Sequence, residues 1–405
     1  MAPFCCIVPE YVLRAIVERG VAPQNTINAC HSTIEKIRQI QDARIQHGQR
    51  TESAQQQQVA EGIIPSFIHE TIAQHAATAE QRETSLRTLE YNTKLRAAAG
   101  TLRHLKRTVY DAQNSWDLEN PPKDKLMIEE GGVLVSVEKD PTKDANECYI
   151  GFKKTYDFYF DFFKRDSIDG RGLKLDGFVH FGKNFGNAMW DGRDLIFGDG
   201  DGIVFDGFTD ELDVIAHEFT HGVVQYTSPL NYTFQSGALN ESLADVFGVM
   251  VKQWAENPEH PQTVDQANWL IGEGIWAEGI NGRALRDMRN PGTAYNDRFV
   301  GKDPQPAHWD HFQKLKLSVD SGGVHINSGI PNRAFYLAAS MIGGYAWEGA
   351  GPIWYKALTS GKLGENATFK EFADLTIENA SEHVDKIKEA WIRVGYPFPV
   401  KRVGQ

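Results

Sequence analysis

Four cysteines in 405 residues (Cys5, Cys6, Cys30 and Cys148) are too few and too unevenly spread for a disulfide scaffold or a paired-cysteine metal finger. Adjacent Cys5 and Cys6 are poorly placed to bridge each other. A basic excess is missing as well: 42 Lys plus Arg face 54 Asp plus Glu, a formal charge of −12. No basic face is therefore expected to neutralise a phosphate backbone, which removes nucleic acid from the expected partners. No apolar run approaches the roughly eighteen residues of a membrane span, and the N-terminus lacks the basic lead and apolar stretch of a classical signal peptide. A reducing compartment is expected, meaning a cytoplasmic location or release by a non-classical route. With 41% apolar and 24% charged residues the chain is too apolar to be disordered throughout.

Residues 1–103 differ from the rest, being rich in Ala, Gln, Glu and Arg at helical spacing, with a polar run ending in Gln55–Gln58. Within them Ile7–Ile16 resembles Ile63–Ile72, each with a proline at a helix start followed by apolar residues at i, i+3, i+4 and i+7. Two explanations stand: an internal duplication spanning 7–38 and 63–96, or convergent amphipathic patterning. Residues 104–226 are expected to be β-rich, with Gly132–Val137 and Leu175–Phe181 as strand runs punctuated by Gly and Asp. Helical spacing follows over Leu212–Tyr226, Glu241–Trp254, Ile330–Ile342 and Phe369–Val394, so residues 227–405 are expected to be mainly α-helical. The fold class expected is α+β.

The most informative stretch is Asp213–His221, which contains His217-Glu218-Phe219-Thr220-His221. Four residues turn a helix by about 400°, so both imidazoles leave one face a turn apart and can meet one metal ion, for which zinc is the natural occupant. Glu218, on a neighbouring face, is the candidate general base for a water that a bound metal makes more acidic. The third ligand is expected on a second helix, where Gly237–Asp245 offers Glu241, and Asp245 one turn on can accept the spare ring N–H of a ligand histidine. Acids on so apolar a segment are costly to bury unless they are occupied.

These residues, together with Asn187–Gly192, Phe197–Gly202 and Ser321–Gly329, resemble in order the motifs of the thermolysin family of zinc metallopeptidases, over roughly residues 105–400. The resemblance implies a two-lobed fold, β-rich then α-helical, with zinc in the cleft. It implies a neutral zinc endopeptidase in which His217, His221 and Glu241 hold Zn2+, Glu218 activates water, and Tyr232 and His325 stabilise the oxyanion while Asp320 orients His325. It implies that Asn187 and Ala188 form an edge strand pairing with an extended peptide, and that Arg286 grips the carbonyl beyond the cut. Phe205, Phe208, Val214, Ile271 and Leu285 fall where the family lines the pocket after the scissile bond. From residues alone, plain core packing explains these five equally well. Cleavage before Leu, Phe, Ile or Val is expected.

Two departures matter. Family calcium ligands match Asp213, Lys252, Asn268 and Glu273, and two of these are not acids, so the double site is expected to hold one Ca2+ or none, with the Lys252 ammonium in place of a cation. The opening Cys5-Cys6-Ile7-Val8-Pro9 resembles the protealysin-like branch, whose precursors carry a short N-terminal propeptide, although Glu10 stands where a second proline is usual. Residues 1–103 are then an inhibitory prodomain and an intramolecular partner. Cys5 or Cys6 acts there by placing a thiolate on the zinc, or the segment Ile7–Ile16 blocks the cleft sterically with Pro9. The other expected partners are protein or peptide substrates, and the chain is expected to be a monomer with no membrane partner. A catalytically silent peptide-binding protein and a hydrolase of non-peptide amides are the competing readings.

Overall fold

The computed structural model describes residues 5–48, 103–117, 122–134, 142–255 and 259–398. Residues 1–41 and 105–405 make one compact unit, and residues 42–104 a second, of which only the two ends are described. The second repeat proposed at 63–96 lies outside the described residues.

A six-stranded sheet organises the first half of the main unit. Its strands are β1 (Cys5–Cys6), β2 (Arg107–Asp111), β3 (Leu126–Glu129), β4 (Leu175–Val179), β5 (Ala188–Trp190) and β6 (Leu195–Phe197), in the spatial order β1-β5-β6-β4-β2-β3. The pairs β2–β4 and β4–β6 are parallel, and the outer pairs are antiparallel. Two expectations need correction here. Gly132–Leu134 is in no strand, the strand lying earlier at β3, and residues 135–137 fall outside the described residues. The region expected to be β-rich holds, besides the expected helix at Leu212–Tyr226, an unexpected 22-residue helix, α3 (Thr142–Phe163), which follows the N-terminal helices α1 (Glu10–Arg19) and α2 (Gln24–Gly48).

The N-terminal segment is folded onto this unit. Pro9, which has no N–H to leave unsatisfied, caps α1, and Gly20 ends it at φ 61°, where an L side chain would be strained. Val12, Leu13 and Ile16 form the buried stripe of α1 and continue in Cys30, Ile34 and Ile37 of α2. Glu10 accepts from both Arg14 and Arg38, tying the two helices together.

Helices dominate the second half. The helices α4 (Leu212–Gln225) and α5 (Phe234–Ala255) are buried over almost their whole length, and α5 begins seven residues before the expected Glu241. They approach closely at Gly248, where a Cβ would lie 2.8 Å from the Asp213 carbonyl oxygen. The bent segment α6 (Asp320–Asn327) leads into α7 (Gly329–Ile342) and α8 (Ala350–Leu358). The expected helix Phe369–Val394 is two helices, α9 (Phe369–Glu378) and α10 (Val384–Ile392), separated where Ser381 turns to φ 47°.

Candidate metal centre and cleft

The centre forms where α4 and α5 cross. His217 and His221 lie one turn apart on α4, with their Nε2 atoms 2.9 Å from each other, and both side chains are fully buried. His217 Nδ1 is 2.9 Å from Asp245 Oδ1, and His221 Nδ1 is 2.9 Å from Asn240 Oδ1. Those oxygens can only accept, so each ring carries its proton on Nδ1 and turns a bare Nε2 lone pair toward the other. Facing lone pairs repel unless a cation lies between them. Glu241 adds oxygens 3.6 Å from His217 Nε2 and 3.5 Å from His221 Nε2, and its Oε2 is buried with no hydrogen-bond partner among the described residues. Two imidazole nitrogens and a carboxylate around such an orphaned oxygen are the donor set of a catalytic zinc. A buried thiol completes the group: Cys5 Sγ, a nitrogen of His221 and an oxygen of Glu241 lie within 4.8 Å of one another.

Glu218 is held where a base is needed. Its Oε2 accepts the Trp190 backbone N–H at 2.7 Å, while its Oε1 is buried without a partner among the described residues. Burial first, then the charge on Glu241, push its carboxyl well above the ordinary range. Burial and the neighbouring His217 instead hold His221 well below the usual imidazole value, which favours the neutral ring that could bind a metal.

The opposite wall carries His325. The backbone of α6 is not helical at Ser321, Gly322 and Gly323, all at positive φ, and this bend folds Asp320 back under the ring. Asp320 Oδ1 lies 2.6 Å from His325 Nδ1, while its Oδ2 accepts the backbone N–H groups of His325 and Ile326 at 3.0 Å each. Burial opposes the charged ring, but Glu241 and Asp320 outweigh it and raise His325 well above its usual value. The Tyr232 hydroxyl hydrogen-bonds Glu241 and lies 3.0 Å from His325 Nε2. At Gly237 a Cβ would meet Val324 at 2.4 Å, so the start of α5 can approach α6 only without a side chain.

Residues expected to hold a peptide hold the chain's own N-terminus. The strand β1 pairs antiparallel with β5, Cys5 opposite Trp190 and Cys6 opposite Met189. Asn187 accepts the Val8 N–H at 2.8 Å and donates to the Val8 carbonyl at 2.9 Å, and the Ile7 N–H reaches the Ala188 carbonyl at 3.2 Å. Arg286 donates from Nη1 to the Ile7 carbonyl at 2.9 Å. Its other nitrogens grip Asp245 at 2.8 Å each. Burial works against that carboxylate, but the Arg286 charge and His217 keep it well below the usual range. Phe205, Phe208, Val214, Ile271 and Leu285 are all buried in the core cluster that also contains Ile7. Phe205 further stacks on Trp276, with ring centroids 5.3 Å apart.

Three contributors escaped sequence reading. Asn240 fixes the His221 tautomer, and its signal was its position beside Glu241 on the same helix. Asn332 on α7 donates to Asp245 Oδ2 at 2.8 Å, and nothing in the local pattern pointed to it. Glu211 joins Asp213 and Glu273 around the buried Lys252 ammonium at 3.1, 3.4 and 3.5 Å, while Asn268 donates to Glu273 at 2.7 Å.

Comparison with known proteins matches residues 75–225 to the thermolysin metallopeptidase catalytic domain and residues 228–396 to the thermolysin metallopeptidase alpha-helical domain. The chain is 38% identical over 401 residues to an extracellular metalloprotease of Pectobacterium carotovorum subsp. carotovorum, covering 97% of this chain and 96% of the relative. It is 41% identical over 359 residues to Protease PrtS of Photorhabdus sp. (strain Az29), covering 82% of this chain and 91% of that one. Among solved structures, the precursor of protealysin, a metalloproteinase from Serratia proteamaculans, aligns at a TM-score of 0.67 and 44% identity, covering 82% of this chain and 98% of that one.

Proposed function

The chain belongs to the thermolysin family of metallopeptidases, and from that premise we propose that it is a latent zinc endopeptidase held inactive by its own N-terminal segment. Residues 1–103 are its prodomain, 104–226 the β-rich lobe with the zinc-binding helix, and 227–405 the α-helical lobe, acting as a monomer. The observation that carries latency is the seat of β1 on β5, which fills the edge where a substrate strand would add.

His217, His221 and Glu241 hold the zinc in this reading, which supplies a Lewis acid and a more acidic water when bound. Glu218 takes a proton from the attacking water and passes it to the leaving nitrogen. Tyr232 and His325 donate to the carbonyl oxygen as negative charge develops on it, each contributing about 2.7–4 kcal/mol to the transition state, judged from single oxyanion-donor deletions. Arg286 and Asn187 fix the peptide beyond the cut. The apolar environment of the buried Ile7 supports a preference for bulky hydrophobic residues just after the cut. Of the two cysteines, Cys5 is the one whose sulfur lies with two of the ligands, so the thiol version of inhibition is assigned to Cys5.

The test is intact-mass analysis of the purified full chain over time beside Glu218→Ala, with hydrolysis of a quenched peptide bearing Leu or Phe after the cut, with and without a zinc chelator. Loss of roughly the first hundred residues in the wild type alone, together with chelator-sensitive hydrolysis, is expected. A processed chain that cleaves no peptide counts for the silent binding protein instead.

A further inference from the structure

The N-terminal strand does more than cover the cleft. Its Cys6 carbonyl oxygen lies 2.9 Å from His325 Nε2, the donor assigned above to the reacting carbonyl. One residue on, the Ile7 carbonyl is held by Arg286, and the Ile7 side chain is fully buried. The Val8 N–H and carbonyl are both taken by Asn187. From the Cys6 carbonyl through the Ile7 N–H, which reaches Ala188, to the Val8 carbonyl, each backbone group therefore meets the partner that a substrate at that position would use, in a single register. Pro9 and the buried stripe of α1 anchor the segment at its far end, leaving little room to slide. A steric plug has no need of this register.

We propose that the Cys6–Ile7 peptide bond is seated as the scissile bond of an intramolecular substrate, and that the Cys5 thiol preserves it by taking the place of the attacking water. This rests on the peptidase reading above and deepens it. Hydrolysis here is balanced by one water. Its oxygen bonds to the Cys6 carbonyl carbon and the carbon–nitrogen bond to Ile7 breaks. Glu218 carries the proton to the Ile7 nitrogen, which becomes a new amino terminus, and Cys6 becomes a carboxylate. With a thiolate beside His221 and Glu241, that water has no seat. The chain is thus a substrate complex arrested one step before reaction, and loss or oxidation of a single sulfur converts the inhibitor into a substrate.

The test follows the full chain, loaded with zinc, by N-terminal sequencing and mass spectrometry. In Cys5→Ser and Cys5→Ala an Ile7 terminus is expected to appear. It is expected to be absent in the wild type and in either variant combined with Glu218→Ala. A second readout does not depend on turnover: the full-length Glu218→Ala chain loaded with cobalt(II) should show a near-ultraviolet thiolate-to-metal charge-transfer band. That band should vanish with Cys5→Ser and persist with Cys6→Ser. A Cys5 variant that cleaves a quenched peptide yet yields no Ile7 terminus overturns the inference and leaves the peptidase reading intact. A cobalt band that survives Cys5→Ser overturns the protective role of the thiol. A metal-loaded Cys5 variant inert toward both itself and the added peptide overturns the inference and the peptidase reading together.

Discussion

Replacing Lys252 by Met takes a buried ammonium away from three acids, of which Asp213 is fully buried. That ammonium belongs to a residue 5% exposed and faces Glu211 at 3.1 Å, the fully buried Asp213 at 3.4 Å and Glu273 at 3.5 Å. Burial and then the charge on Asp213 already raise the Glu211 carboxyl, while Lys252 pulls it down, so the acids are in surplus even with the lysine present. Removing one partner of a buried ion pair costs about 3–5 kcal/mol, because the remaining charge is desolvated without compensation. At about 2.1 cal/mol/K per residue of unfolding entropy, 405 residues give about 0.85 kcal/mol/K. The thermal midpoint of Lys252→Met should therefore fall by about 4–6 °C. Lys252→Glu supplies a fourth carboxylate and should make that midpoint rise steeply with added calcium, a hard cation suited to oxygen ligands. The wild type should show little response to a calcium-selective chelator that leaves zinc bound. Calorimetry of the three proteins with and without calcium measures this. A large drop in the wild-type midpoint on calcium removal, or a Lys252→Met midpoint equal to wild type, refutes the replacement of a cation by the lysine.

Three further perturbations separate other parts of the structure. Asp245→Asn removes the carboxylate charge beside His217 Nδ1 and opposite Arg286; zinc affinity, read by competition with a chelator, should fall about 10–100-fold. Tyr232→Phe, assayed in the processed enzyme, should lower kcat about 10²–10³-fold with KM little changed, and an unchanged kcat removes Tyr232 from the oxyanion site. Glu147, half-buried beside Asp210, has its pKa pushed up to about 7 by burial and then by Asp210. A raised folded-state value means that its contribution to stability is full below its unfolded value and is lost as pH rises through 7. Glu147→Gln should accordingly raise the thermal midpoint relative to wild type at pH 8 and leave the difference small at pH 4, an ordering that melting curves across that range check directly.

The chemistry was more legible in the sequence than the architecture around it. The His217–His221 spacing dictates two rings on one helical face, and α4 runs almost as the apolar period foretold. Glu241 and Asp245 were legible because buried acids require partners. Helix α3 was missed because its run Tyr156-Asp157-Phe158-Tyr159-Phe160 is aromatic and strand-like in propensity, although its buried residues Ala145, Cys148, Phe152, Tyr156 and Tyr159 follow a helical period. The break at Ser381 has no Gly or Pro to signal it. Asn332 reaches Asp245 across 87 residues of sequence, a distance at which local pattern carries no information. Which of two adjacent cysteines lies beside His221 and Glu241 depends on how a two-residue strand is rotated against β5, and that is set by pairing rather than by composition.

If β1 is removed as proposed, the sheet terminates at β5, and the main-chain groups of Ala188–Trp190 that it had occupied become a ragged seam open to any passing polypeptide. Such seams are a common route to edge-to-edge association between copies. This one is three residues long, and the chain paired on it is also held from the far side by Arg286 and His325, an arrangement suited to a single flexible stretch of chain rather than a rigid, preformed sheet. On the proposed function, selectivity for unfolded or loop-borne segments would then arise from the shortness of that edge, before any side chain is inspected.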